Sequence, residues 1–140
     1  PGNGDPEDFK IDDCSTQRNL NKIGIDQSKI IGLFFKKNNI KIDRILSSEW
    51  CRCKDTAELA FKNFKTFKPL NSFYDPRFAD NEEKQIKDLK KFIKEWDSDK
   101  NIIFVTHYVV ILSLLNMGVS SGEIVVADKD LNIIGSIETY

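Results

Sequence analysis

The sequence is poor in histidine and methionine, with one of each in 140 residues. A lone histidine excludes metal sites that need several imidazoles, and it makes the place of His107 informative. Charge of one sign is not in excess, because 21 basic and 22 acidic side chains leave a net charge of −1. Nothing in that balance calls for nucleic acid or an anionic membrane surface as partner. Long hydrophobic runs are missing too. None approaches the ~20 residues of a membrane span, and none has the form of a secretory leader. Repeats and low-complexity tracts do not occur.

Cysteine is scarce, and its spacing is uninformative for metals. Cys14, Cys51 and Cys53 form neither a zinc pattern nor a C-x-x-C redox motif. Three free or buried thiols fit a reducing cytoplasm. A bridge from Cys14 to Cys51 or Cys53 fits an oxidising compartment such as a periplasm.

What is present describes one domain over residues 1–140. The opening "PGNGDPEDFK" reads as turn and loop. A domain is not expected to start in such a loop, so an N-terminal strand is expected upstream of Pro1. "NKIGIDQSKIIGLFFKKNN" predicts a helix capped by Asn21, with Ile23, Ile30, Ile31 and Phe34 on its inner face. "KIDRILSS" predicts a strand, with Ser47 or Ser48 capping a helix that presents Cys53, Ala57, Ala60, Phe61 and Phe64. "FKPLNSFYDPRFADN" predicts a loop, and Glu82 to Trp96 an amphipathic helix burying Ile86, Leu89, Ile93 and Trp96. "NIIFVT" predicts a buried strand, followed by a largely covered helix ending at Gly118. "EIVVAD" and "LNIIGSIETY" predict a hairpin with its turn at Asp128–Asp130. The alternation predicts an α/β three-layer sandwich, a mainly parallel central sheet with helices on both faces.

Parallel sheets carry ligands at the carboxyl ends of their strands. Two stretches occupy such ends, "LSSEWCR" and "VTHY". His107 stands at a strand-to-helix junction, where the backbone N–H groups of Tyr108 and Val109 and the helix dipole favour an anion. Arg52 follows the other strand, with a guanidinium suited to phosphate oxygens. Together they predict a phosphate pocket.

The order of "CSTQRNLNKIG", "SSEWCRCKDTAELA" and "VTHYVVI" resembles the histidine phosphatase superfamily, of phosphoglycerate-mutase-like fold, and within it the small phosphohistidine-phosphatase-like branch. The resemblance implies that Arg52 grips phosphate, with Thr56 and Ala57 completing the helix's signature, and that His107 polarises the transferring phosphoryl group. It places Gln17, Arg18 and Asn19 near the pocket. It also asks for an acidic proton donor in the loop after the arginine helix, where Asp75 is the choice among Asp75, Asp80, Glu82 and Glu83. No metal and no cofactor are implied. The implied partner is a phosphorylated small molecule or phosphoprotein. The family's nucleophilic histidine belongs to an Arg-His-Gly-type motif on the first strand, which this sequence does not contain. The expected activity is therefore that of a metal-independent phosphatase acting through a phosphohistidine supplied from upstream. The alternative is a phosphate-binding module of the same fold that does no chemistry.

A second phosphatase chemistry suggests itself at "EIVVADKDLN", where an apolar strand precedes Asp-x-Asp and Asp128 would attack phosphorus. Asn132 stands where that pattern needs Thr or Val, and a hairpin turn explains the stretch better. A cysteine phosphatase lacks its arginine, since no Cys has Arg six residues later.

Overall fold

The computed structural model describes residues 4–139. Helix α1 (Lys22–Lys37) starts where expected, the Asn21 side chain accepting the Gly24 N–H. Strand β1 (Ile42–Ser47) leads into α2 (Cys51–Phe61), a short β2 (Lys65–Thr66) and two turns of 3-10 helix at Lys68–Leu70 and Ala79–Asn81. Then come α3 (Glu82–Glu95), β3 (Asn101–Val105), α4 (Tyr108–Leu115) and the hairpin β4 (Ile124–Ala127) and β5 (Ile133–Ile137).

Three strands form a parallel sheet in the order β2-β1-β3, and β4-β5 form a separate antiparallel pair. Side-chain alternation along β3 sends its two faces to different helices. Ile102 and Phe104 join Leu46 against Leu89 and Ile93 of α3 and Val110 of α4. Val105 joins Phe9, Trp50 and Cys53 of the α2 side. The expected α/β sandwich is what forms. The segment after α2, expected as loop, adds one unforeseen element: β2 pairs with β1 through Leu46↔Lys65 and Ser47↔Thr66.

Several sequence expectations change on packing. Helix α1 docks on α2 at Gly32, where an added Cβ would collide with the Ala60 carbonyl. That close approach turns Ser28 and Ile31 inward and leaves Ile23 and Ile30 exposed, at 74% and 52%. Trp96 is the C-cap of α3 rather than core, its indole donating to Asp43. Helix α4 ends at Asn116 rather than Gly118, with Asn116 taking the left-handed φ of 53° that Asn tolerates. Nor is α4 largely covered, since Val110 alone is buried while Tyr108 and Leu112 are exposed. Trp50 occupies the N-cap of α2, and neither serine does. The hairpin turn is built as read, with Asp128 Oδ1 accepting from the N–H groups of Asp130 and Asn132.

The Gly32 contact makes a test. Gly32→Ala forces α1 off α2 and should cost about 1–3 kcal/mol, seen as a fall of several degrees in Tm. Gly135→Ala, where nothing lies within 4 Å of the new methyl, should leave Tm nearly unchanged.

Candidate functional site

The parallel pairing of β1 with β3 aligns Ser47 with Val105, and the Ser48 N–H donates to the Val105 carbonyl at 2.9 Å. Both strands thus end at one level, and the residues just beyond them meet. Ser48 Oγ lies 2.8 Å from His107 Nε2, and it also accepts the Trp50 N–H at 3.1 Å. Asn71, from the loop after α2, accepts from Ser48 Oγ and from the Glu49 N–H. The Trp50 ring stands edge-on to the imidazole, 5.3 Å between centroids.

The first turn of α2 brings Arg52 to the other side of the ring, its Nη2 3.5 Å from His107 Nδ1. Of the predicted site, the structure brings Arg52 and His107 together, with Tyr108 next in chain and exposed; Arg18 reaches Arg52 through its backbone carbonyl, and its Nε donates to the Gly4 carbonyl. Val109 is also partly covered, packed on the core shared by α3 and α4. Gln17 and Asn19 serve the loop itself. The Gln17 amide donates to the carbonyls of Lys10 and Ile11, and its Oε1 accepts the Cys51 N–H. Asn19 donates to the Cys14 carbonyl. Asp75 turns to Arg77, accepting from its N–H and Nε, and this holds its carboxyl below the usual range. Of the other acidic candidates, Glu82 accepts from Ser113 Oγ on α4.

Sequence reasoning passed over Asp5. Its carboxylate accepts from Arg52 Nη1 at 2.7 Å, from the Arg18 N–H at 3.0 Å and from the Trp50 indole at 3.1 Å. Burial by itself would push the Asp5 carboxyl up; the Arg18 N–H, the Arg52 charge and the indole outweigh it and leave it lowered. An Asp between Gly and Pro reads as a turn former, so no periodic signal marked it. Ser48 and Asn71 were missed for a related reason: a serine before a helix reads as a cap, and an asparagine in a loop as a turn.

The electrostatics follow from burial. His107 is 8% exposed, and burial, aided by Arg52 and opposed by Asp5, lowers its pKa to about 3. Its ring is neutral in the empty site. Burial likewise pushes the Cys53 thiol, 3.6 Å from His107 Nε2, up to about 12, which keeps it a thiol. Of the two readings for cysteine, the oxidised one applies: Cys14 bridges Cys51 and Cys53 stays free. The bridge ties the loop that carries Gln17 and Arg18 to the first turn of α2. Among the described residues no group of three or more His, Cys, Asp or Glu is placed to hold a metal ion.

No family model matches this sequence, and no curated protein matches it. Solved structures do. TTHB049 from Thermus thermophilus superposes with a TM-score of 0.63 at 17% identity, over 86% of this chain and 84% of that one. The protein histidine phosphatase SixA, solved in complex with tungstate, gives 0.60 at 17% identity over 97% of this chain and 92% of that one. The product of the open reading frame Rv3214 from Mycobacterium tuberculosis gives 0.54 at 15% identity, over 70% and 65%.

Two predictions rest on this geometry. His107 has a lowered pKa when folded, so the unfolded chain binds a proton that the native state refuses. Stability is fully present above the ordinary value of 6.5 and is lost as pH falls from there towards about 3. Urea unfolding at pH about 7 and about 5.5, a window set by the ordinary histidine pKa, should show that loss in the wild type and little of it in His107→Gln. Breaking the Cys14–Cys51 bridge, which closes a span of 37 residues, should cost about 4 kcal/mol on the chain-entropy account. Thiol counting in denaturant without reductant should find the Cys53 thiol alone, and three reactive thiols would remove the bridge.

In architecture and in the order of its strands and helices, this chain has the phosphoglycerate-mutase-like fold, the fold of the histidine phosphatase SixA.

Proposed function

We propose that this domain is a metal-independent phosphatase that hydrolyses a phosphomonoester or phosphohistidine through a phosphohistidine intermediate. The observation that carries the reading is the convergence of Arg52 Nη2 and His107 Nδ1, 3.5 Å apart, at the carboxyl ends of two neighbouring parallel strands. A guanidinium and an imidazole that address one point suit the equatorial oxygens of a phosphoryl group. SixA is a protein histidine phosphatase whose structure holds tungstate, a tetrahedral oxyanion, and that supports an oxyanion as the ligand here.

The attacking imidazole comes from a strand upstream of Pro1. Two observations support this. His107 is the chain's one histidine, and it is already engaged by Ser48 at Nε2. Strand β3 is also paired on one side alone among the described residues, so its other edge is open to a parallel strand that would end level with His107. In the reaction the upstream imidazole attacks phosphorus, and the bond to the leaving oxygen or nitrogen breaks. Arg52 and a protonated His107 hold the developing charge, and water then cleaves the phosphorus–nitrogen bond of the intermediate. The leaving group takes its proton from solvent water, since Asp75 is engaged by Arg77 and its carboxyl is held below the usual range. Tyr108 and Val109 offer backbone N–H groups from the start of α4, while Arg18 acts through its backbone, its N–H donating to Asp5 and its carbonyl accepting from Arg52. The substrate is a phosphorylated small molecule or phosphoprotein.

The single histidine also favours a second reading, in which the domain binds a phosphorylated partner without turning it over. Activity separates the two. The chain extended by its upstream strand should hydrolyse p-nitrophenyl phosphate, and Arg52→Ala should lower kcat/KM by about 10²–10³, with a fall in Tm as well because Asp5 loses its counter-ion. An extended chain that binds phosphate but releases none from the ester establishes the binder, and full activity in Arg52→Ala rejects the role of Arg52.

A further inference from the structure

A carboxylate is an odd neighbour for an anion site, and Asp5 is deeply placed in this one. Its side chain is 6% exposed, against 17% for Arg52, and both its oxygens accept, from three donors in all. The ion pair fastens Arg52 through Nη1 and leaves Nη2 3.5 Å from His107 Nδ1, close enough for one anion oxygen to accept from both once the ring is protonated. Charge is rearranged as well. The groups facing His107 are Arg52 and Cys53 from α2 and Asp5 from the N-terminal loop, with Arg18 beyond Asp5. The thiol is neutral, and Asp5 offsets part of the Arg52 charge at the ring, so the pair presents far less positive charge to an anion than a free guanidinium would.

We propose that Asp5 is a positioning residue that neutralises Arg52 in the empty site and so couples capture of a tetrahedral anion to protonation of His107. The inference rests on the oxyanion reading above and adds a residue and a proton to it. A dianion entering beside the Arg52–Asp5 pair meets too little positive charge to balance it. One proton from solvent adds to His107 Nδ1, and the imidazolium donates from that nitrogen to the anion while Nε2 keeps Ser48. Asp5 assists twice: it leaves the charge deficit, and its negative charge favours the imidazolium.

Sulfate is the probe, because it stays a dianion over the whole range. Its affinity for the wild-type chain should rise about tenfold for each unit that pH falls from about 8 to about 6, one proton per anion. The single histidine gives an unambiguous ring-nitrogen NMR signal, which should turn from neutral to protonated as sulfate binds at neutral pH. In Asp5→Asn the uncancelled Arg52 should bind sulfate about tenfold more tightly at pH about 8, with less than half the pH slope and a ring that stays neutral. Asp5→Ser removes the same charge and should read alike if Asp5→Asn does not fold. Asp5→Glu should restore the slope. Weaker binding at every pH with the slope unchanged would reduce Asp5 to a structural prop and overturn the inference, with the oxyanion reading intact. A wild-type chain that binds no sulfate at any pH, no better than Arg52→Gln, would instead bring down the oxyanion reading itself, and this inference with it.

Discussion

The parallel pairing of β1 and β3 is the constraint on which the site depends. Its register sets Ser47 against Val105, and one further hydrogen bond, from Ser48 to the Val105 carbonyl, carries the ladder past the end of the strand. Ser47 and Ser48 are completely buried there, so their hydroxyls must find partners inside the protein. Ser47 bonds the Ser48 carbonyl, and Ser48 meets His107. A register shift of one residue would send these side chains to the opposite face of the sheet and separate the serine from the imidazole.

Two fasteners hold the remaining charge against that frame. A buried ion pair is stable when its leftover donors and acceptors are satisfied, and Asp5 meets this condition through Arg18 and Trp50. The disulfide from Cys14 to Cys51 and the Gln17 bond to the Cys51 N–H press the loop onto the start of α2. Arg52 is the next residue in the chain. The loop residues therefore act on the pocket by holding Arg52 and Asp5 in place, and Gln17 has no N–H left to offer an anion.

Exposed apolar side chains lie on three elements. Ile23, Ile30 and Leu33 of α1, Tyr108 and Leu112 of α4, and Val126, Ile133 and Ile134 of the hairpin are exposed. Among the described residues β3 has one unpaired edge, and the proposed nucleophile strand would pair there.

Secondary structure was legible in the sequence wherever it follows from short-range pattern. The period of α3, the Asn21 cap, the strand before His107 (half-buried rather than buried) and the Asp128 turn are set by neighbours within a few residues. Arg52 and His107 were legible because a strand end is a local event and the chemistry of each is distinctive. Tertiary structure alone decided the rest. It showed which face of α1 goes inward, because that depends on a glycine meeting the backbone of another helix. It showed that Cys51 rather than Cys53 takes the bridge, because the alternatives differ in reach and not in spacing. It brought Asp5 to Arg52 across 47 residues of chain, an ion pair invisible in any window, because a charge is drawn to its partner by distance in space and not by separation in sequence.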